Sequence, residues 1–225
     1  MSTLLLWDLD ETLITTGGAG ERAIVRSARK HWDVEVDLAE IPYSGKTDRM
    51  IGRLIREHFE IPSDEATDLA YLEDFVNFVT EELPESSAHV LPGIREIVEC
   101  AHFSDKHYQG MLTGNLSASA RAKLVPFGLW DFFPFGAYAE DSLERTDLGP
   151  IALSRAKEHA AVDFLPEDVI VIGDTPHDIA CARSFSARCI AVATGKYGLA
   201  ELEAHRPDLL VEDLTSPDVR RFLDL

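Results

Sequence analysis

Short apolar runs alternate with segments of helical period along most of the chain. Each run is rich in β-forming residues and ends near Gly, Asp or Asn; the runs span residues 3–7, 107–112, 168–172, 188–193 and 208–211. Such alternation is typical of a parallel sheet covered by helices, so we predict an α/β fold with a Rossmann-like parallel sheet core. The helical segments between the runs begin at Pro92, Ser117, Gly149 and Pro176.

Residues 18–83 interrupt this alternation, because helical patterns dominate there and the strand signal nearly vanishes. One helical face in this stretch predicts core packing through Leu69, Leu72, Phe75, Val76 and Val79. The segments 15–20 and 84–93 have the small, polar and Pro-containing character of linkers. We therefore predict an inserted α-helical cap domain at residues 16–85 and an α/β core formed by residues 1–15 and 86–225.

The composition is that of a globular protein with one sizeable core. The chain has 225 residues, of which 45% are hydrophobic. No apolar run approaches the roughly 18 residues that span a bilayer, and no signal peptide is recognisable, so we predict a cytoplasmic protein. The three cysteines are far apart and lack metal-binding spacing, which indicates reduced thiols.

The net charge of −19 excludes two classes of partner. Nucleic acid and anionic membrane surfaces would both be repelled at long range. A small phosphorylated substrate would be repelled as well, unless a bound cation and local basic groups reverse the potential inside the pocket. The oligomeric state is not predicted from the sequence.

The first apolar run ends in the acidic pattern D-x-D-x-T, formed by Asp8, Asp10 and Thr12. Residues two apart in a strand project to the same side, so both acids would reach the carboxyl edge of a central buried strand. Ligands of open α/β sheets bind at that edge, which makes these residues candidates for chemistry. A helix cap or a solvated turn explains this pattern equally well when it is taken alone.

Three further patterns favour the chemical interpretation. The second run ends in "MLTGN", which carries Thr113 and Asn115, and the third is followed by "GDTPHD", which carries Asp174 and Asp178. Between them, "EDSLERTDLGP" places Arg145 just before a predicted helix. Each pattern is weak alone, because turns and caps use the same residues. Four such patterns in this order, each at a strand end or a helix start, are specific.

In this order the motifs resemble those of the haloacid dehalogenase (HAD) superfamily of phosphohydrolases, in particular its phosphoglycolate phosphatase-like branch. The resemblance covers essentially the whole chain and implies a helical cap inserted after the first motif. "YSGKTD" at 43–48 resembles the substrate-facing loop of that cap, which implies that Lys46 binds substrate. The implied activity is Mg²⁺-dependent hydrolysis of a small-molecule phosphate monoester, with phosphoglycolate as the first candidate.

The resemblance also implies catalytic roles. Asp8 would be the nucleophile that forms an aspartyl phosphate, and Asp10 would protonate the leaving oxygen and then activate water. Thr113, Gly114 and Asn115 would bind the phosphoryl group. A covalent intermediate divides one difficult displacement into two easier steps, and a positioned carboxyl supplies both proton transfers.

The implied metal is Mg²⁺, held by Asp8, Asp174 and the main-chain carbonyl of Asp10, while Asp178 and Thr12 support these groups. A cation is needed, because each carboxylate about 4 Å from a phosphoryl charge costs on the order of 4 kcal/mol at an effective dielectric constant near 20. Magnesium is the usual ion where carboxylates share a cation with phosphate. Arg145 would add a fixed positive charge at the phosphoryl oxygens.

Two residues depart from the family pattern. Glu11 stands where glycine is usual, and we expect its side chain either to point into solvent or to favour cationic or neutral leaving groups. Arg145 stands where lysine is usual. It keeps the positive charge, but its guanidinium group is wider than the ammonium group of lysine. Lys157, one helix later, is the alternative cation.

Other functions remain to be weighed. A phosphomutase of the same family shares the motifs and stays open. A dehalogenase needs neither Asp10 nor the acids Asp174 and Asp178, and an aspartyl-phosphate signalling module has no use for the helical insertion. A Walker-type kinase loop is excluded, because Glu40 occupies a position that requires glycine.

Overall fold

A central parallel sheet organises the computed structural model, which describes residues 2–225. The strands assigned within this range are Thr3–Trp7 (β1), Ile14–Thr15 (β2), His89–Val90 (β3), His107–Leu112 (β4), Gly136–Ala137 (β5), Val169–Gly173 (β6), Arg188–Val192 (β7) and Leu209–Val211 (β8). The α-helices are Ala19–Trp32 (α1), Asp48–His58 (α2), Glu65–Glu82 (α3), Ile94–His102 (α4), Ser117–Leu124 (α5), Arg145–Ala160 (α6), Pro176–Ser184 (α7), Leu199–Glu203 (α8) and Pro217–Leu223 (α9).

The sheet has the strand order β5-β4-β1-β6-β7-β8, and its neighbouring strands pair in parallel. The strand β1 lies between β4 and β6, with Thr3 opposite His107 and Leu4 opposite Val169. Its residues Leu4 to Trp7 are fully buried, because helices cover both faces of the sheet. This burial explains the uninterrupted apolar run, and the α/β fold with a Rossmann-like parallel sheet is confirmed.

The helix α6 begins one turn earlier than predicted. It starts at Arg145, although the Gly149-Pro150 pair indicated a later start. A proline inside a helix removes the hydrogen bond to the carbonyl four residues earlier, here that of Thr146. The Ser184 hydroxyl lies 3.0 Å from this carbonyl and 2.7 Å from the Cys181 carbonyl, so its single hydrogen offsets only part of the lost bond.

The helices α1 to α3 pack together around a separate hydrophobic cluster. Its centre includes Tyr71, Phe75 and Val79 of α3, and Trp32 stacks on Tyr71 with ring centroids 4.3 Å apart. The predicted core face of α3 was partly wrong, since Leu69 is 60% exposed. At 100° per residue, Leu69 points about 120° around the helix axis from Phe75, the centre of the buried face.

The chain enters and leaves this three-helix unit (α1–α3) through one short antiparallel ribbon. The ribbon consists of β2 and β3, with Ile14 opposite Val90 and Thr15 opposite His89. The division into a core and a cap at residues 16 and 85 stays a prediction. No helix within residues 2–225 combines the length and the apolar composition that crossing a bilayer requires, and the cytoplasmic location also stays a prediction.

Asp48, the first residue of α2, fastens the three-helix unit to the carboxyl edge of the sheet. Its main-chain N–H donates to the Gly114 carbonyl at 2.7 Å, and its Oδ2 accepts from the Leu116 N–H at 2.7 Å. Asp48 is 8% exposed, and burial raises the pKa of its carboxyl to about 7, although Lys123 and the Leu116 N–H oppose this shift. The folded state therefore favours the protonated form.

This raised pKa predicts how stability depends on pH. The favourable contribution of protonated Asp48 is complete below pH 3.8, the ordinary value of the carboxyl, and is lost as pH rises through about 7. Asp48→Asn keeps an acceptor for the Leu116 N–H but cannot ionise. Between pH 5 and pH 8 we expect the free energy of unfolding of D48N to gain about 1 to 3 kcal/mol relative to the wild type, measured by urea titration. A constant difference over this range would contradict the assignment.

Candidate active site

Three neighbouring strands deliver polar residues to one edge of the sheet. Asp8 follows β1, Thr113 follows β4 and Asp174 follows β6. The hydrogen bonds of the sheet continue one residue beyond β1 and β4. The Asp8 N–H donates to the Ile172 carbonyl of β6, and the Thr113 N–H donates to the Ala137 carbonyl of β5. Since parallel strands end at a common edge, residues far apart in sequence meet there.

Asp8, Asp174 and Asp178 form a buried carboxylate cluster. One oxygen from each lies within 4.8 Å of the others, and the three residues are 5%, 4% and 0% exposed. Gly173 permits this approach, since a Cβ at that position would lie 2.1 Å from Cγ of Asp178. The strand-end glycine is therefore required by packing against Asp178.

Arg145 lies against this carboxylate cluster. Its Nη2 is 2.8 Å from Oδ1 of Asp8 and also pairs with Oδ1 of Asp178. Asp178 is held in turn by α7, because its Oδ2 accepts from the N–H and the hydroxyl of Thr175 at 3.0 and 2.8 Å. Both oxygens of Asp178 are thus engaged, one by the helix cap and one by Arg145.

Lys157, the alternative cation, lies elsewhere. It is 41% exposed at its side chain and pairs with Asp163, which is 87% exposed. Thr12 is buried and directs its hydroxyl at Oδ1 of Asp174 over 3.4 Å. The structure therefore brings Arg145 and Thr12 to the carboxylate cluster and leaves Lys157 on the surface.

The cluster carries more negative charge than one arginine can balance. Burial raises the pKa of Asp8 to about 6 despite the opposing effect of Arg145, and burial, together with Asp8 and Asp178, raises the pKa of Asp174 well above its ordinary value. Burial opposes the charge of Arg145, but Asp178 and Asp8 outweigh this effect and raise its pKa. Hard oxygen donors with excess negative charge are the ligand set that Mg²⁺ prefers.

A second network surrounds Asp10. The Nδ2 of Asn115 donates to Oδ2 of Asp10 at 2.8 Å and to the Thr113 hydroxyl oxygen at 3.0 Å. Lys123 Nζ lies 2.8 and 2.7 Å from the two oxygens of Asp10. Sequence reasoning missed Lys123, although its spacing gave a signal: Ser119 and Lys123 are four residues apart on one face of α5, and Asn115 precedes that helix by two residues.

Thr113 is fully buried and keeps a hydrogen to donate. Its hydroxyl oxygen accepts from the main-chain N–H of Asn115 at 3.3 Å as well as from the Asn115 side chain. Within residues 2–225 no acceptor takes the Thr113 hydroxyl hydrogen. A hydroxyl in this state is suited to donate to an anionic oxygen that reaches this edge of the sheet.

Gly114 allows two loops to touch at the mouth of the site. A Cβ on Gly114 would lie 2.3 Å from the carbonyl oxygen of Lys46, so a larger residue would separate them. Lys46, Gly114 and Asn115 all line the adjacent cavity. The predicted substrate-binding residues are thus brought together by the contact between the 43–48 loop and the sheet edge.

Glu11 adopts a left-handed backbone conformation, with φ of 56°. A glycine is free to take this conformation, whereas a non-glycine residue is strained by about 1 to 2 kcal/mol. Its side chain does not extend into solvent, since it accepts from the Thr15 hydroxyl at 2.7 Å and lines the cavity. Burial raises the pKa of Glu11, although the Thr15 hydrogen bond opposes this shift.

A cavity of about 160 Å³ lies over these residues. It is lined by residues at the sheet edge, including Asp8, Asp10 and Asp174, and by residues of the three-helix unit, including Ile24 and Ile51. A cavity of roughly 150 Å³ is large enough to hold a benzene molecule. The space is therefore comparable in volume to a small molecule.

Removing the guanidinium should destabilise the fold. In Arg145→Met the buried carboxylates Asp8 and Asp178 lose the only cation that pairs with them among residues 2–225. Breaking a buried pair from one side costs about 3 to 5 kcal/mol, so we expect a loss of that size in urea titration with EDTA present. The matched control is Lys157→Met, which should change stability by less than about 0.5 kcal/mol. Equal stability of the two variants would contradict this description of the site.

Comparison with known proteins agrees with this arrangement. A family model described as HAD-hydrolase-like matches residues 146–217. The chain is 26% identical over 229 residues to the protein named Probable phosphatase IndB of Dickeya dadantii, covering 94% of this chain and 90% of that protein. It is 26% identical over 214 residues to the protein named Putative pyrophosphatase PpaX of Caldanaerobacter subterraneus, covering 94% and 91%.

A solved structure shows the same fold. The β-phosphoglucomutase of Clostridium difficile superposes with a TM-score of 0.78 at 19% identity, covering 100% of this chain and 96% of that one. The family model and the named relatives, together with the parallel sheet and its acidic strand ends, support a hydrolase of the haloacid dehalogenase superfamily, and the names of the relatives support a phosphatase.

Proposed function

We propose that this phosphatase hydrolyses a small phosphate monoester with Mg²⁺, through an aspartyl-phosphate intermediate on Asp8. The supporting observation is the charge of the carboxylate cluster. Three buried carboxylates face one guanidinium, which leaves two negative charges uncompensated when all are ionised. A phosphoryl group cannot bind beside them until a cation offsets that charge.

The residues present fit a magnesium ion. Oδ2 of Asp8 has no protein donor within residues 2–225, and Asp174 presents a second buried carboxylate next to it. We propose that these two residues and the main-chain carbonyl of Asp10 hold the ion, while Asp178 acts through Arg145. When bound, Mg²⁺ would neutralise the cluster and polarise the phosphoryl oxygens.

In the first step an oxygen of Asp8 attacks phosphorus. The new O–P bond forms as the ester P–O bond breaks, and the electron pair of that bond goes to the leaving oxygen. Asp10 gives this oxygen a proton, so the leaving group departs as an alcohol. Arg145 and the Thr113 hydroxyl stabilise the phosphoryl oxygens during transfer, because charge on those oxygens dominates the energetics of phosphoryl transfer.

In the second step water hydrolyses the acyl phosphate. Asp10, now ionised, takes a proton from the water as the water oxygen attacks phosphorus. The bond between Asp8 and phosphorus breaks, and its electron pair returns to the Asp8 carboxylate. The two carboxyl groups differ in surroundings: Asp8 lies against Arg145, whereas Asp10 lies against Asn115 and Lys123. A carboxylate accepts from ammonium and amide donors, so the surroundings of Asp10 fit its role as proton acceptor in this second step.

The size and lining of the cavity support a small substrate. About 160 Å³ accommodates a phosphoryl group with a few further heavy atoms. We propose that residues 16–85 act as a cap that selects the leaving group, with Lys46 among its contacts. Phosphoglycolate is the first candidate, and the relatives named pyrophosphatases make inorganic pyrophosphate the second.

A phosphate-release screen over small phosphate esters, with pyrophosphate included, tests the proposal. We expect turnover with Mg²⁺ and its loss with EDTA, restored by added Mg²⁺. Asp8→Asn should lower kcat by about 10³-fold or more, because the nucleophile is removed. The matched control, Asp163→Asn, changes an exposed acid outside the site and should keep wild-type activity.

Two results would contradict the proposal. Full activity of D8N would exclude the covalent intermediate, and full activity in EDTA would exclude the metal. A phosphomutase would instead consume a sugar phosphate while releasing little phosphate, so product analysis distinguishes this remaining alternative.

A further inference from the structure

Lys123 is a buried charge that the proposed chemistry does not use. It lies in the last turn of α5 and is 3% exposed. Burial opposes its charge, yet Asp10 and Asp48 raise the pKa of the ammonium group above its ordinary value. A buried ammonium is costly without partners, so its contacts indicate why the site retains it.

The three hydrogens of this ammonium group face three acceptors. Nζ lies 2.8 and 2.7 Å from the two oxygens of Asp10 and 2.6 Å from Oδ1 of Asn115. An ammonium group has three donors, so none remains for a phosphoryl oxygen. Lys123 therefore contacts the residues that act on the substrate rather than the substrate itself.

The contact between Lys123 and Asn115 fixes the orientation of the Asn115 side-chain amide, and with it the hydrogen bonds that this amide donates. Because Oδ1 of Asn115 faces Lys123, its Nδ2 faces Oδ2 of Asp10 at 2.8 Å and the hydroxyl oxygen of Thr113 at 3.0 Å. With its oxygen occupied by two donors, the Thr113 hydroxyl must direct its hydrogen elsewhere. One lysine thus fixes the Asp10 carboxyl directly and the Thr113 hydroxyl through Asn115.

We propose that Lys123 is a positioning residue for phosphoryl transfer, which holds Asp10 in line with the leaving oxygen and fixes the amide of Asn115. This inference rests on the proposed role of Asp10 in proton transfer. Losing the alignment should slow the step that needs a proton and leave substrate binding nearly unchanged. Displacement of a positioned catalytic group by about 1 Å can cost about 10²-fold in rate.

The test compares two substrates that differ in their need for a proton. Acetyl phosphate loses acetate, which leaves without protonation at neutral pH, whereas phosphoglycolate loses an alkoxide that requires it. If phosphoglycolate is not turned over, the alkyl ester hydrolysed fastest in the screen replaces it. For Lys123→Met we expect kcat to fall about 10²-fold with the alkyl ester and less than about 10-fold with acetyl phosphate, with KM changed less than about 3-fold.

A double-mutant cycle tests whether Lys123 acts through Asp10. In an Asp10→Asn background, K123M should lower kcat by less than about 3-fold further, since residues that act as a unit are not additive. Lys157→Met is the matched control and should retain wild-type kinetics. Thermal unfolding monitors the fold; if K123M is unfolded, Lys123→Gln, which keeps an amide donor without the charge, takes its place under the same expectations.

Each contrary outcome identifies what is wrong. Equal losses on both substrates, or a full effect in the D10N background, would show that Lys123 is merely structural. A raised KM and weaker inhibition by inorganic phosphate, with kcat unchanged, would show a direct phosphate ligand. Unchanged K123M activity in an active enzyme would overturn this inference alone, whereas a wild type that releases no phosphate would overturn the proposed function and the inference with it.

Discussion

The ion pairs of Arg145 hold together a cluster of charges that would otherwise repel one another. Asp8, Asp174 and Asp178 come from the ends of two parallel strands and the start of a helix, and burial denies them water. The guanidinium contacts two of the three, and the capping bonds of Thr175 fix Asp178 from the other side. The cluster therefore has fewer positive charges than negative ones when all three carboxyl groups are ionised, and the proposed magnesium ion would offset this difference.

The site lies where two parts of the chain meet. The sheet edge supplies the carboxylates, while the loop before α2 covers them and is fastened through Asp48 to Gly114 and Leu116. The same short segment, 113–116, therefore carries the phosphoryl-binding candidates and anchors the helices above them. A shift of α2 would therefore reach this segment through the two Asp48 hydrogen bonds, at Gly114 and Leu116.

Much of this arrangement was predictable, because a parallel sheet brings the ends of its strands to one edge. Acids after two apolar runs and a threonine after a third were enough to place Asp8, Thr113 and Asp174 together. The start of α6 was not predictable, since the hydroxyl that approaches the Thr146 carbonyl belongs to Ser184 on another helix. Lys123 was missed for the same reason: its partner Asp10 is distant in sequence, and a helical lysine usually faces solvent.

The order of the strands has a consequence for the newly made chain. The strand β1 is synthesised first, yet it occupies the middle of the sheet and pairs with β4 and β6, which are synthesised much later. Its apolar residues cannot pair fully until both neighbouring strands have been synthesised. Parallel pairing between strands so distant in sequence is also slow to form. During translation β1 therefore stays incompletely paired until β6 has been made, and a ribosome-bound chain that stops before β6 cannot complete the pocket.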